Sequence, residues 1–414
     1  MRPELQRTLE LVEKHNTWRR EECLNLIASE NIMSPLAIEV FNSDMMHRYA
    51  EGLPYKRYYQ GTKYVDEIET LVQELGKKLF HCKYFDPRPI SGSVANLCVF
   101  SALTQPGDQI ATLRVADGGH ISHSPLGAAG IRGLRTLNMP FDHKEMNIDV
   151  EKLRPLTKKE KVKLVVLGGS LYLFPHPIKE IKEILDDAKI IYDASHVLGL
   201  IAGKRFQDPL AEGADVVATS SHKTFPGPQG GIVYTNNEEI SKRVAQAILP
   251  GIVSNHHLYR LPSLAVTLIE ALEFGEKYAN QIQKNSKKLA SSLYEKGFQV
   301  LCEHKGFTES HQIAIDVRNH GGGKKVAETL EKANIICNKN LLPWDKEENT
   351  ENPSGIRLGV QECTRMGMKE SEMEHIAHLI TRTIIKNENP KKIKEEVIQL
   401  KKQYKETKYC YTKN

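Results

Sequence analysis

A chain of 414 residues, 40% hydrophobic and 26% charged, has room for two domains and the composition of a globular protein. It has no apolar run of the ~18 residues a membrane span needs, and its start, MRPELQRTLELVEKHNTWRR, has no signal-peptide core, so a cytoplasmic protein with no membrane partner is expected. The net charge of +5 resides at the end, where nine lysines face four glutamates from Lys386 onward without a single arginine, which argues against a nucleic-acid partner. Seven cysteines without C-x-x-C spacing argue against a disulfide framework or a zinc site, and no metal is expected.

In chain order, Leu5, Leu9 and Val12 recur near helical spacing and predict an amphipathic arm. LNLIASENIMSP ends at a helix-start signal, and HRYAEGLPYKRYYQGTKY, dense in tyrosine, glycine and charge, reads as a functional loop. Helical periodicity returns from Asp66 to Leu79. PISGSVANLCVFSALTQPGDQI reads as turn, helix, turn and strand, and VADGGHISH sets His120 and His123 after a Gly-Gly turn. KVKLVVLGG, KIIYDASHVLG, DVVATSSHKT and GGIVYT are apolar strand-like runs, the first two separated by helix-like IKEIKEILDDA.

Continuous apolar strands alternating with helices predict an α/β fold with a parallel or mixed sheet covered on both faces. Ligands of such sheets gather at the carboxyl ends of strands, where Asp193, His196, His222 and Lys223 fall. A long helical stretch from Leu261 bridges to a smaller α+β domain. The expected division is an N-terminal arm and helices over 1–50, a large cofactor-binding domain over 51–275, a small C-terminal domain over 276–385 and a lysine-rich tail over 386–414.

Lys223 is oddly placed for a surface residue. Burial at a strand end disfavours the charged ammonium, and a neutral amine is a nucleophile toward an aldehyde; the commoner fate is a stem along apolar surface with the ammonium in water. Its companions fit a Schiff-base enzyme of the pyridoxal phosphate type. Asp193 could keep a pyridinium nitrogen protonated, and His120 could stack on the ring. Ser91, Gly92 and Ser93 open a helix whose N–H groups suit a phosphate, although a serine there is also an ordinary N-cap. Arg357 could hold an amino-acid carboxylate, its rival reading being a surface ion pair.

LNLIASEN, HRYAEGLP-KRYYQG, SGSVAN, GGHISH, YDASHVLGLIAG, SSHKT–GPQGG and SGIRLG resemble, in order and spacing over about residues 20–370, the motifs of serine hydroxymethyltransferases. GGSLYLFPHP, LPGIVSNHHL, LCEHKGFTESHQ and NKNLLPWD look like the archaeal branch. The resemblance implies the type I fold of pyridoxal-phosphate-dependent transferases, with a large mixed-sheet α/β domain, a smaller C-terminal α+β domain, and a homodimer with shared active sites. It implies pyridoxal 5'-phosphate on Lys223, with Asp193 as pyridinium partner, His120 as stacking residue, Ser91, Gly92 and Ser93 as phosphate turn, His196 near the cofactor hydroxyl and His222 tuning the site. Ser29 and Arg357 match substrate-carboxylate binders, Tyr59 a substrate-side tyrosine, and Tyr49 and Glu51 groups reaching in from the other subunit, with Glu51 as general acid/base. For Glu51 a salt bridge to Lys56 or Arg57 competes.

The chain departs from the family at Gln229, where GPRGG has arginine, at Ser195, where D-x-A-H has alanine, and at Gly251–Asn255, which replaces a glycine-rich phosphate loop. The implied reaction moves the hydroxymethyl carbon of L-serine to tetrahydromethanopterin or tetrahydrofolate and leaves glycine. The alternatives are a pterin-independent aldolase cleaving threonine-type amino acids and a catalytically idle paralogue.

Overall fold

The computed structural model of the chain describes residues 1–185 and 187–412. Asp186, within the stretch expected to be helical, and Lys413 and Asn414, at the end of the lysine-rich tail, lie outside the described residues. The helices that open the chain are α1 (Pro3–Asn16), α2 (Pro35–Phe41), α3 (Lys63–Phe80) and α4 (Gly92–Leu103). The strands of the two main sheets are β1 (Tyr84–Asp86), β2 (Gln109–Thr112), β3 (Arg135–Asn138), β4 (Val162–Gly168), β5 (Lys189–Asp193), β6 (Val216–Ser220) and β7 (Gly231–Thr235), then β8 (Gln299–Val300), β9 (Gln312–Asp316), β10 (Asn338–Asn340) and β11 (Gly355–Gly359). Among the described residues no helix is long and apolar enough to cross a membrane.

Two compact units divide the chain, and they do not follow it in successive blocks. One comprises Met1–Glu30 and Gln281–Lys408, the other Asn31–Asn280 and Tyr409–Asn414. The long helix Arg260–Glu295 contributes residues to both.

The larger unit is built on a seven-stranded sheet in the order β1-β7-β6-β5-β4-β2-β3. Strands β6, β5, β4, β2 and β3 run parallel, and β7 is antiparallel to both β6 and β1, so the expected mixed sheet is present. Leu164, Val165, Val166 and Leu167 of β4 are all fully buried, because both faces of the sheet are covered along this part of the strand. Helix α4 is apolar on nearly every side for the same reason. Its Ala95, Cys98, Val99 and Phe100 share one core with Ile110, Leu164, Ile191, Val216 and Ala218 of the sheet. Phe100 is fully buried there, so Phe100→Ala is expected to destabilise the unit by about 3–5 kcal/mol, read as a lower denaturant midpoint.

The smaller unit holds a four-stranded antiparallel sheet in the order β8-β9-β11-β10. Leu24–Asn25 pairs in parallel with Ile335–Ile336, which seats the N-terminal segment in this unit. The lysine-rich segment forms a helix, Pro390–Lys401, that buries Ile393 and Val397 completely, while Lys391 and Lys392 on its other side are exposed. Arg382, on the preceding helix Glu370–Ile384, ties the two together by ion pairs of 2.6 Å to Glu396 and 2.8 Å to Glu388. This part of the tail is a packed helix with a solvated basic face.

Candidate active site

Parallel register brings Gly168 and Asp193, at the carboxyl ends of β4 and β5, level with Ala218 of β6. Gly168 has φ +78°, and a Cβ there would stand 2.1 Å from the Asp193 carbonyl oxygen, so glycine is required for the chain to turn off the sheet at this point. Its N–H donates to His176 Nδ1 at 3.0 Å. Burial pushes the His176 imidazole down to about 4, so it is neutral at pH 7. An unfolded chain takes up that proton near pH 6.5, before the folded one does; stability is therefore full above ~6.5 and is lost as pH falls toward about 4, by up to about 3 kcal/mol. Urea midpoints measured from pH 7 to pH 4.5 are expected to fall more steeply for the unaltered protein than for His176→Asn.

Asp193, 2% exposed, makes three side-chain hydrogen bonds at this edge. His123 Nε2 lies 3.0 Å from Oδ2, Asn96 Nδ2 donates to the same oxygen at 2.8 Å, and the Ser195 N–H donates to Oδ1 at 3.0 Å. A carboxylate only accepts, so His123 carries its proton on Nε2. Burial by itself would raise the acid's pKa, but the His123 hydrogen bond and the nearby charges of His123, His120 and Lys223 outweigh it and hold the carboxyl far below the usual range. Asp193 is therefore ionised throughout the physiological range. Ligand atoms of His120, His123 and Asp193 all lie within 4.8 Å of one another. His120 Nδ1 accepts from the Ser122 N–H at 3.1 Å, and Asn96 Nδ2 also donates to Ser122 Oγ at 2.9 Å.

Lys223 follows β6 by three residues and is half-buried rather than splayed into water. Its carbonyl accepts from Asn31 Nδ2 at 2.6 Å, and the Asn31 amide also donates to Tyr278 Oη at 2.9 Å. The next residue, Thr224, donates from Oγ1 to the His196 carbonyl at 2.7 Å and accepts from the Gly199 N–H at 3.0 Å. These bonds pin the peptide that follows the lysine. Burial, with the charges of Lys223 and Arg260, pushes His222 down to about 4, so the imidazole beside the lysine is neutral. Ser195 Oγ accepts from the Ser220 N–H at 3.0 Å and so joins the ends of β5 and β6.

Ser91 is an N-cap, its Oγ accepting from the Val94 N–H at 3.1 Å. That hydroxyl is engaged, yet the N–H groups of Gly92 and Ser93 sit in the first helical turn, where no earlier helical carbonyl can take them. A Cβ on Gly92 would stand 3.2 Å from both Ser195 Oγ and Ser220 Cβ, so this turn lies against the same strand ends. The two sequence readings of the turn are thus compatible. One serine caps the helix while the free N–H groups remain suited to an anion.

The tyrosine-rich loop is fastened by Arg57. Its guanidinium, 2% exposed, pairs with Asp66 at 2.7 Å and Glu69 at 2.6 Å of α3 and donates to the carbonyls of Ala50 and Gly52 at 2.9 and 2.7 Å. Arg57 is thereby taken, and among the described residues Glu51 makes no ion pair. Tyr49 and Tyr59 pack against each other with ring centroids 5.5 Å apart and are 50% and 43% exposed. Among the described residues, Tyr49, Glu51 and Tyr59 form no hydrogen bond, ion pair or ring contact with Asp193, His120 or Lys223 of their own chain.

Ser29 and Arg357 belong to the smaller unit. Arg357, on β11, is 7% exposed and donates from Nε to Asn338 Oδ1 at 3.1 Å, which excludes the reading as a surface residue. Burial draws its pKa down to about 10, leaving it charged at pH 7. The segment around Ser29 is fastened to the end of that strand. The Gly359 N–H donates to the Leu26 carbonyl at 2.8 Å, and Gln361 Nε2 donates to the carbonyls of Ile27 and Glu30 at 2.7 and 2.6 Å.

Comparison with known proteins finds relatives over nearly the whole chain. The family model described as serine hydroxymethyltransferase covers residues 4–380. A serine hydroxymethyltransferase of Saccharolobus islandicus is 55% identical over 99% of this chain and 95% of its own length. The chain belongs to the serine hydroxymethyltransferase family. Relatives of the same name from Sulfolobus acidocaldarius and Staphylothermus marinus are 53% and 52% identical, each over 99% of the chain and over 95% and 94% of their own lengths. Among solved structures, an L-threonine transaldolase from Pseudomonas fluorescens in its internal aldimine state superposes with a TM-score of 0.88 at 30% identity, over 97% of this chain and 92% of that one. The fold is the type I fold of pyridoxal-phosphate-dependent transferases.

In this serine hydroxymethyltransferase family member, the residues read from the sequence that lie together are Asp193, His120 and Lys223 with their neighbours His222 and His196. Sequence reasoning passed over Asn96 and Asn31, gave His123 no role, and read Arg57 only as a rival salt-bridge partner of Glu51. His123 stood in the quoted GGHISH motif, but its spacing does not tell which histidine meets the aspartate. Asn96 was a polar residue inside an apolar helix, a signal that a buried partner was needed.

Proposed function

We propose that this chain is a serine hydroxymethyltransferase that holds pyridoxal 5'-phosphate and passes the hydroxymethyl carbon of L-serine to a tetrahydropterin, leaving glycine. The observation that carries this reading is Asp193, buried and ionised between His123 and Asn96 beside the charges of His120 and Lys223. A buried carboxylate held so firmly in its charged form suits a cationic ring nitrogen, and the free N–H groups of Gly92 and Ser93 suit the phosphate of the same cofactor. When bound, that cofactor supplies an electron sink for the Cα–Cβ bonding pair of serine.

The side chains then have distinct tasks. Lys223 is the amine for the cofactor aldehyde, and Asn31 and Thr224 fix its peptide. His120 would stack on the ring, and His196 would serve its hydroxyl. Neutral His222 adds no second positive charge next to the lysine. Arg357, charged and buried, is assigned with Ser29 to the substrate carboxylate, and Tyr59 to the substrate side. Glu51, which makes no ion pair among the described residues, is assigned proton transfer among the serine hydroxyl, the pterin and the leaving water.

Tyr49 and Glu51 act in this reading from a second copy of the chain. Helix α1 supports such a homodimer, because it buries none of its residues and leaves Leu5, Leu9 and Val12 on one side 52–55% exposed. Serine-to-glycine conversion measured with tetrahydromethanopterin and with tetrahydrofolate, in parallel with threonine cleavage without any carrier, tests the proposal. Conversion that depends on one of the carriers is expected. Carrier-independent threonine cleavage with no carrier-dependent serine conversion would establish the aldolase instead.

A further inference from the structure

The segment beyond residue 380 lies outside the family model, although the match to the Saccharolobus islandicus relative extends over 99% of the chain. Its last described residues return to the larger unit. The Tyr409 ring packs on Tyr278 with centroids 5.2 Å apart and planes at 36°, and the Tyr411 ring meets Phe274 edge-on at 5.1 Å. Phe274 and Tyr278 are one turn apart on the long helix, so the two tyrosines of Tyr409-Cys410-Tyr411 grip one helical face. Tyr409 has φ +57°, in the left-handed region that residues with a side chain rarely adopt, so its backbone is bent to place the ring there.

Tyr278 is 3% exposed, and its hydroxyl oxygen is the acceptor for Asn31 Nδ2 at 2.9 Å. The same Asn31 amide donates to the Lys223 carbonyl at 2.6 Å, while Asn31 Oδ1 accepts from the Ile32 N–H at 2.9 Å. A continuous series of interactions thus leads from the Tyr409 ring to the Tyr278 ring, through its hydroxyl to Asn31, and on to the peptide of the lysine. We propose that the C-terminal Tyr409–Tyr411 segment is a strap that positions Lys223, with Tyr409 and Tyr278 as positioning residues acting through Asn31. This inference rests on the reading of Lys223 as the Schiff-base lysine. Its physical basis is that a reacting amine displaced by about 1 Å no longer meets its target along the productive line of attack, which slows the step by up to roughly 100-fold.

The test compares the full-length protein with Tyr409→Ala, Tyr409→Phe, Tyr278→Phe and the Tyr409→Ala/Tyr278→Phe double variant. Two quantities are measured: the rate at which the visible Schiff-base band develops when pyridoxal 5'-phosphate is added to apoprotein, and kcat and KM for serine. Tyr409→Ala is expected to slow band formation and lower kcat about 10-fold each, with KM within about 2-fold. Tyr409→Phe, which keeps the ring packing, is expected to restore both. Tyr278→Phe keeps the ring but loses the acceptor for Asn31, and its effect is expected not to multiply with that of Tyr409→Ala. Unchanged rates in Tyr409→Ala, or fully multiplying effects in the double variant, would overturn the strap. A full-length protein that never develops the band would instead overturn the Schiff-base reading on which the strap depends.

Discussion

Lys223→Ala is expected to abolish the yellow absorbance of the cofactor-loaded protein and to lower serine-to-glycine turnover at least about a thousandfold, since no other group can replace the amine at that position. The fold should survive the change. Lys223 is half-buried, and the bonds through its own carbonyl and through Thr224 that pin this segment are kept in the variant. Far-ultraviolet circular dichroism and the denaturant midpoint are therefore expected to stay near those of the unaltered protein while absorbance and turnover disappear. A variant that retained both the band and turnover would remove Lys223 from the chemistry.

Asp193→Asn is expected to be the next most damaging change at the site, lowering turnover about 100-fold or more at nearly constant side-chain volume. The carboxylate accepts from His123, Asn96 and the Ser195 N–H at once. An asparagine offers one acceptor oxygen, and its NH₂ then faces a donor that Asp193 had satisfied. The loss should appear both as weaker retention of pyridoxal 5'-phosphate on dialysis and as lower kcat. His123→Phe, which leaves the carboxylate but removes its strongest support, should produce a smaller loss in the same direction. Equal turnover in Asp193→Asn and the unaltered protein would refute the assigned role.

Much of the scaffold was legible along the chain. KVKLVVLG, KIIYD and DVVATS are strands because a strand covered on both faces is apolar without interruption, and that is a local property of the sequence. The Ser91 cap and the break after Ser220 are local as well, so the strand-end positions of Asp193 and Lys223 followed from pattern alone. The order of the family motifs then supplied roles for the residues at those positions.

What the chain by itself determined, then, was the succession of elements and the chemical types gathered at strand ends, since both depend on neighbours a few residues apart. Only the tertiary structure decided who pairs with whom. Leu24–Asn25 lies beside Ile335–Ile336, Asn96 and His123 converge on Asp193, and Arg57 turns to α3 instead of to Glu51. Each pairing joins residues whose separation in sequence leaves no periodic trace. Each is selected because a buried charge or amide must find a partner once water is excluded, and the partner is whichever group the fold brings within reach.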